Sequence, residues 1–126
     1  MEDRLVKPDS KTAVWKIALV VAAIVVAISA AIVMVQSGRD SDPYVQEVLA
    51  LDGDPQRGAA IFQMNCAGCH GVRGNGRVGP SLQDVSEHRS RASTIHQVIS
   101  GDTPPMPQFQ PSPETMADLL EYLETL

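Results

Sequence analysis

The feature that most limits what this chain can fold into is a run of nineteen residues without a charge. From Ile17 to Val35 only Ser29 is polar. At ~1.5 Å per residue a helix of that length is roughly 28 Å long, close to the hydrocarbon thickness of a bilayer. Valine and isoleucine lower helix propensity in water, but in lipid an unsatisfied backbone costs far more than that propensity. The run therefore predicts a transmembrane helix, with Trp15 and Lys16 at its entry suited to the headgroup layer. The competing reading is a cleaved signal peptide. Ala27-Ile28-Ser29 offers small residues at a suitable spacing, yet apolar residues continue through Val35 without the polar region expected near a cleavage site. Arg4, Lys7, Lys11 and Lys16 precede the run and Arg39 alone lies on its other flank. By the positive-inside rule residues 1–16 are a cytoplasmic tail and residues 36–126 lie on the non-cytoplasmic side.

This run explains why the average properties of the 126 residues look unremarkable. A mean hydropathy of −0.04 and a net charge of −5 combine three unlike parts. The tail carries +1 and the apolar run nothing, while residues 36–126 hold six arginines, twelve carboxylates and no lysine, a charge of −6. Nucleic acid is excluded as a partner on that balance, because phosphate binding needs a basic surface. The two cysteines allow one internal disulfide at most, a thin framework for a small exported fold.

Residues 36–43, QSGRDSDP, read as a short polar linker. Tyr44, Val45, Val48 and Leu49 then predict one or two helical turns, closed by Leu51-Asp52-Gly53. Asp54-Pro55 is a helix start, with Asp54 capping free N–H groups and Pro55 where its missing N–H costs nothing. That helix is expected to run to about Asn65, with Gly58 and Phe62 on one face and Ile61 beside them. A glycine there costs about 1 kcal/mol relative to alanine, which a close helix approach would offset. Residues 71–87 contain too many glycines for regular structure. Ser93–Ser100 predicts a short helix with Ile95, Val98 and Ile99 on one side and Gly101 as its stop. Asp102–Pro111, with four prolines, predicts a stiff extended loop. Met116, Leu119, Leu120 and Leu123 form the apolar stripe of a terminal helix begun by Ser112-Pro113. Residues 44–126 thus read as one small all-helical domain. At this size a core is thin, and two Phe, two Tyr and one Trp in the whole chain add little bulk. Something other than protein is expected to fill the centre.

Cys66-Ala67-Gly68-Cys69-His70 is C-x-x-C-H, the attachment signal for c-type haem. Two thiols one helical turn apart can add to the two vinyl groups on one porphyrin edge, while the adjacent imidazole swings under the ring to the iron. Three other uses compete. Zinc needs a fourth ligand and finds no second cysteine pair. A dithiol redox centre belongs at a helix N-terminus beside a βαβ unit, whereas this motif closes a helix and no strands are visible. A plain disulfide leaves the histidine unexplained. One haem c, covalently bound through Cys66 and Cys69 with His70 on its iron, is the reading to which motif, export and thin core all point.

The sixth iron position separates electron transfer from ligand chemistry. In Thr103-Pro104-Pro105-Met106-Pro107 a methionine stands between prolines, so little entropy is lost in presenting its sulfur. Met106 is accordingly the candidate ligand, against the plainer alternative of a loop methionine packed on the core. Met64 sits too near His70 in sequence to reach the opposite face, and Met116 belongs to the terminal helix stripe. His96 is expected to be solvated, opposite the apolar side of its helix. His88, among Glu87, Arg89 and Arg91, reads as part of a polar surface turn.

With these residues in place, Asp54–Leu126 resembles the class I c-type cytochromes, through the Gly58/Phe62 helix, CAGCH, Gly79-Pro80-Ser81-Leu82, the PPMP loop and a closing helix with Tyr122. The resemblance implies an all-α domain wrapped around one haem, with Gly58 and Phe62 crossing the last helix near Leu119, Tyr122 or Leu123. It implies that the Pro80 carbonyl accepts a hydrogen bond from the proximal imidazole and that Leu82 packs on the haem face. Within the family, the short domain, the single anchor and VISGDTPPMPQFQP are most similar to the small membrane-anchored cytochromes of cyanobacteria. The function implied is that of a one-electron carrier between redox proteins at a photosynthetic or respiratory membrane, with lipid contacted through residues 17–35 and no small-molecule substrate. A haem enzyme or sensor with labile Met106, and a fixed haem subunit of a larger complex, are the competing readings. Lysine-free, the domain departs from the lysine-ringed members. Arg73, Arg77, Arg89 and Arg91 are candidates for positive charge near the haem edge, and the five carboxylates of residues 102–126 for an acidic patch.

Overall fold

The computed structural model describes residues 10–126, and among them every regular element is a helix. Arg4 and Lys7 of the expected tail lie outside the described residues, as do the side chains of Lys11 and Arg39. The molecule divides into two units, residues 1–37 and 38–126.

The first unit is dominated by α1, Ser10–Asp40. Within it Thr12–Gly38 is long and apolar enough to cross a membrane, and none of it is buried. Apolar on all sides and exposed along its length, it is a candidate membrane span. Its one central polar side chain is satisfied internally, since the Ser29 hydroxyl donates to the Val25 carbonyl at 2.8 Å. The polar stretch that begins at Gln36 does not interrupt the helix, which continues through Asp40, so Ser41 and Asp42 alone separate it from α2.

In the second unit the helix starts at Asp54-Pro55 and Ser112-Pro113 are those expected, whereas the helix expected from Ser93 begins at Arg91 and another takes in Pro43 of the expected linker. Asp42 caps α2 (Pro43–Leu49), Asp54 caps α3 (Pro55–Asn65) and Ser112 caps α7 (Pro113–Leu123), each with proline at the first helical position. Ser90 caps α6 (Arg91–Ser100), and Gly101 ends it in the left-handed conformation at φ 60°. Two short helices complete the set, α4 (Ala67–His70) and α5 (Val85–His88). The second corrects the expectation of irregular chain throughout residues 71–87.

The fold is centred on α3 against α7. A Cβ on Gly58 would lie 2.0 Å from the Asp118 carbonyl oxygen and 2.7 Å from the Tyr122 Cβ, so glycine lets the two backbones meet. Gly53, just before α3, does the same against the Ala117 carbonyl, where a Cβ would stand at 2.2 Å. Next to the crossing the Phe62 and Tyr122 rings lie 5.2 Å apart and tilted by 52°, within the range of favourable aromatic pairs. Phe62, Ile95, Met116, Leu119, Leu120, Val45 and Val48 are fully buried, joining α2, α3, α6 and α7 in one core.

A buried carboxylate locks the same crossing. Asp118, on α7, accepts from Arg57 Nε at 2.7 Å, Arg57 Nη2 at 2.9 Å and the Asp54 backbone N–H at 2.7 Å. These bonds hold its carboxyl below the usual range: the Arg57 hydrogen bond is the main cause, opposed by burial and helped by the Asp54 N–H. On the far side Arg91 of α6 reaches Glu121 at 2.7 Å and Glu124 at 3.2 Å. The acidic patch expected over residues 102–126 is therefore largely internal: three of its five carboxylates already have arginine partners. Arg91 is likewise committed to α7, not free beside the motif.

Candidate cofactor site

Cys66 ends α3, its N–H donating to Phe62 at 2.8 Å, and the next turn begins at once, with the N–H groups of Cys69 and His70 donating to the Cys66 carbonyl at 3.1 and 2.9 Å. One helical turn thus separates the two thiols, the spacing the motif requires. Cys66 is half-buried and Cys69 exposed, and neither is in a disulfide. Burial, with a smaller contribution from Cys69, pushes the Cys66 thiol up to about 11.

The loop after His70 folds back onto the motif. Gly76 donates to the His70 carbonyl at 2.7 Å, and Val78 and Gly79 donate to the Cys69 carbonyl at 2.9 and 2.8 Å. Gly71 and Gly76 turn the chain at φ 83° and 86°, where side chains are strained. The turn brings the Pro80 carbonyl to 2.9 Å from His70 Nδ1. A carbonyl only accepts, so Nδ1 carries the proton and Nε2 keeps its lone pair. Gly79 lies against the imidazole, and a Cβ there would stand 2.7 Å from Cε1 and 2.9 Å from Nδ1. Leu82 is partly buried against the core, and its N–H donates to Gly74 at 2.7 Å.

Met106 is also partly buried against the core, on a loop tied to the end of α6. Gln97 Nε2 lies 3.8 Å from Met106 Sδ and 3.3 Å from the Thr103 hydroxyl. Phe109 donates to the Val98 carbonyl at 3.0 Å, and Gly101 sits where a Cβ would lie 2.9 Å from the Met106 carbonyl oxygen. The loop is more folded than its prolines predict, because Met106 N–H closes a turn onto Thr103 at 3.0 Å. Of the other candidates, Met64 is 76% exposed and Met116 is buried in the core. His88 ends α5 at the surface. His96 is half-buried, not solvated, with Nδ1 3.8 Å from the Asp102 carboxylate.

The donor set fits a covalently held haem c: two unbridged thiols one turn apart, and beside them an imidazole whose Nε2 is left free by its tautomer. It fits zinc poorly, since among the described residues no group of three or more His, Cys, Asp or Glu side chains is placed to hold a metal ion.

Comparison with known proteins agrees. Residues 53–123 match the family described as cytochrome c oxidase, cbb3-type, subunit III. A cytochrome c-553-like protein of Synechocystis sp. is 65% identical over 85 residues, 68% of this chain and 81% of that one. The chain belongs to the class I c-type cytochromes. Both matches support a haem c electron carrier, and the relative of this cytochrome is cyanobacterial. No solved structure matches the chain.

Several residues that support this cytochrome's site escape a reading of the sequence. Gly79 is noticed for its place before Pro80, but its contact with the imidazole ring needs the loop to close. Gln97 gives no signal beyond being polar on a helix facing a proline-rich loop. Asp118 leaves a faint one: a carboxylate between Ala117 and Leu119 interrupts an otherwise apolar face.

Proposed function

We propose that the cytochrome carries single electrons between redox proteins at the lumenal or periplasmic face of a thylakoid or cytoplasmic membrane. In this reading residues 17–35 anchor it in lipid, residues 1–16 are cytoplasmic, 36–43 link, and 44–126 carry the haem. Its short domain, single apolar helix and VISGDTPPMPQFQP stretch resemble cytochrome M, the small anchored cytochrome of cyanobacteria, and with the cyanobacterial relative this supports a role beside photosynthetic or respiratory complexes.

Cys66 and Cys69 would hold one haem c, and His70 Nε2 and Met106 Sδ would bind its iron. The haem supplies a one-electron Fe(III)/Fe(II) couple. The protein's task is to keep its own groups still while charge changes. The 2.9 Å bond from His70 to the Pro80 carbonyl carries this reading, because it fixes the tautomer and strengthens imidazole donation. Gly79 keeps the ring's face clear, the proline-bounded loop presents the Met106 sulfur, and Leu82 with the α3–α7 core excludes water. A thioether ligand in such surroundings raises the potential.

Haem staining of the denatured protein on a gel tests the attachment: signal is expected, and is expected to vanish in the Cys66→Ser, Cys69→Ser double variant. Absence of signal in the wild type, or its survival in the variant, overturns the reading. Met106→Ala is expected to lose the weak ferric band near the red edge of the visible, whereas a high-spin ferric spectrum in the wild type would refute methionine ligation. The match to an oxidase subunit family favours a second reading, a haem subunit fixed in a larger complex. Co-purification of partner subunits after gentle solubilisation separates that from a tethered carrier.

A further inference from the structure

Of residues 71–83, the loop that follows the motif, Gly74 alone is buried. Its carbonyl accepts from the Leu82 N–H at 2.7 Å and from the Ser81 hydroxyl at 3.3 Å. Those two donors come immediately after Pro80, whose carbonyl orients His70. Gly74 therefore fixes the downstream side of Pro80, as the Cys69 carbonyl fixes the upstream side through Val78 and Gly79. Its own N–H donates to the Gly71 carbonyl at 2.9 Å.

Three side chains hold Gly74 and the two residues before it. Gln63 Nε2, on α3, donates to the Val72 carbonyl at 2.7 Å, and Gln83 Nε2 donates to the Arg73 carbonyl. Leu126 lies against Gly74 itself, where a Cβ would stand 2.7 Å from Leu126 Cδ1 and 3.6 Å from the Leu82 Cβ. The Leu126 N–H donates to the Leu123 carbonyl at 3.3 Å, which ties it to the end of α7. Helix α3 and the segment after α7 thus converge on residues 72–74. Exposed amides add little to stability, so two of them on consecutive carbonyls are better placed to fix the course of one turn than to hold the fold.

We propose that Gln63, Gln83 and Leu126 are positioning residues for His70, acting through Gly74 on the Pro80 carbonyl. The proposal rests on the carrier reading, in which His70 Nε2 binds the iron, and adds the residues that set how strongly it does so. With the Pro80 carbonyl held at 2.9 Å, the Nδ1 proton stays hydrogen-bonded and the imidazole donates more strongly through Nε2, which favours Fe(III). When residues 72–74 are free to shift, the Gly74 carbonyl moves and takes Ser81 and Leu82 with it, and Pro80 follows. The bond to Nδ1 then lengthens, donation through Nε2 weakens and Fe(II) is favoured.

The test uses the full chain carrying its haem in a non-ionic detergent. Gln63→Met and Gln83→Met keep the length of the side chain and remove the donor, while Leu126→Ala removes the apolar contact and Leu126→Met restores it. In NMR of the reduced protein, the His70 Nδ1 proton is expected to exchange with solvent about tenfold faster in the two glutamine variants and in Leu126→Ala than in the unaltered protein. Poised against a redox mediator, their ratio of Fe(II) to Fe(III) is expected to rise about threefold, or about 28 mV at about 59 mV per tenfold. That is below the tenfold or more expected from losing a direct partner of the imidazole. Leu126→Met is expected to match the unaltered protein in both readouts. Asp118→Asn separates positioning from stability, since it is expected to unfold more easily in urea and to leave both readouts unchanged. Glutamine variants with unchanged exchange and ratio, or an Asp118→Asn that moves both as far as they do, overturn the proposal. A Leu126→Met that behaves like Leu126→Ala overturns the part given to Leu126, and if Leu126→Ala does not fold the glutamine variants decide. A chain without covalent haem, or an unaltered protein without iron-bound His70, overturns the carrier reading before any variant is compared, so the two failures are distinct.

Discussion

Two regions of this cytochrome are built on glycine, and they use it for different neighbours. At the α3–α7 crossing Gly53 and Gly58 clear space for the backbone of a helix some sixty residues away. In the loop after the motif Gly79 clears space for the ring of His70, nine residues away. Backbone in a packed helix cannot yield, while a ring can turn at the expense of its hydrogen bond. The first arrangement therefore decides whether the domain folds. The second decides how well its histidine is held once it has.

The sharpest way to break the comparison is to add one methyl group at each place. Gly58→Ala puts a Cβ 2.0 Å from the Asp118 carbonyl oxygen, and a loss of about 3 kcal/mol or more is expected, read as loss of cooperative unfolding in urea. Gly79→Ala is expected to cost less, about 1–3 kcal/mol, with helical circular dichroism retained and the His70–Pro80 bond lost in imidazole NMR. If Gly79→Ala removed helicity to the same degree as Gly58→Ala, the distinction between fold and site would disappear.

The Asp118 carboxylate sharpens the comparison through pH. Its folded pKa is depressed by Arg57, so the stability it contributes is full above the unfolded value of about 3.9 and is lost as pH falls below that toward the folded value. Asp118→Asn is expected to remove this acid-dependent part from unfolding curves collected between neutral and acid pH, while leaving the His70 loop signals in place. The smallest effect is expected from Gln97→Leu. Its amide touches Met106 Sδ and the Thr103 hydroxyl at the protein surface, and thermal unfolding should show a loss below about 1 kcal/mol.

Much of this molecule can be read along the chain. The caps at Asp54 and Ser112, the proline after each, the stop at Gly101 and the stripe from Met116 to Leu123 all follow from interactions within four residues. C-x-x-C-H is equally local, since one helical turn sets the separation of its thiols. Reading fails where a residue's partner is remote. The polar face of its helix places His96 in solvent, but the loop that follows brings Asp102 to 3.8 Å. Arg91 follows the other arginines of the motif's loop in sequence, but the C-terminal segment brings Glu121 and Glu124 to it.

Sequence by itself determined an uncharged apolar helix, an acidic all-helical domain and a haem-attachment motif, because backbone hydrogen bonding, capping and thiol spacing operate over one or two turns. Only the tertiary structure decided which glycines bear on backbone and which on the imidazole, that Asp118 is locked to Arg57, and that Arg91 pairs with Glu121 and Glu124. Those outcomes depend on which distant segments pack together, and packing selects among contacts that a linear order of residues leaves equally available.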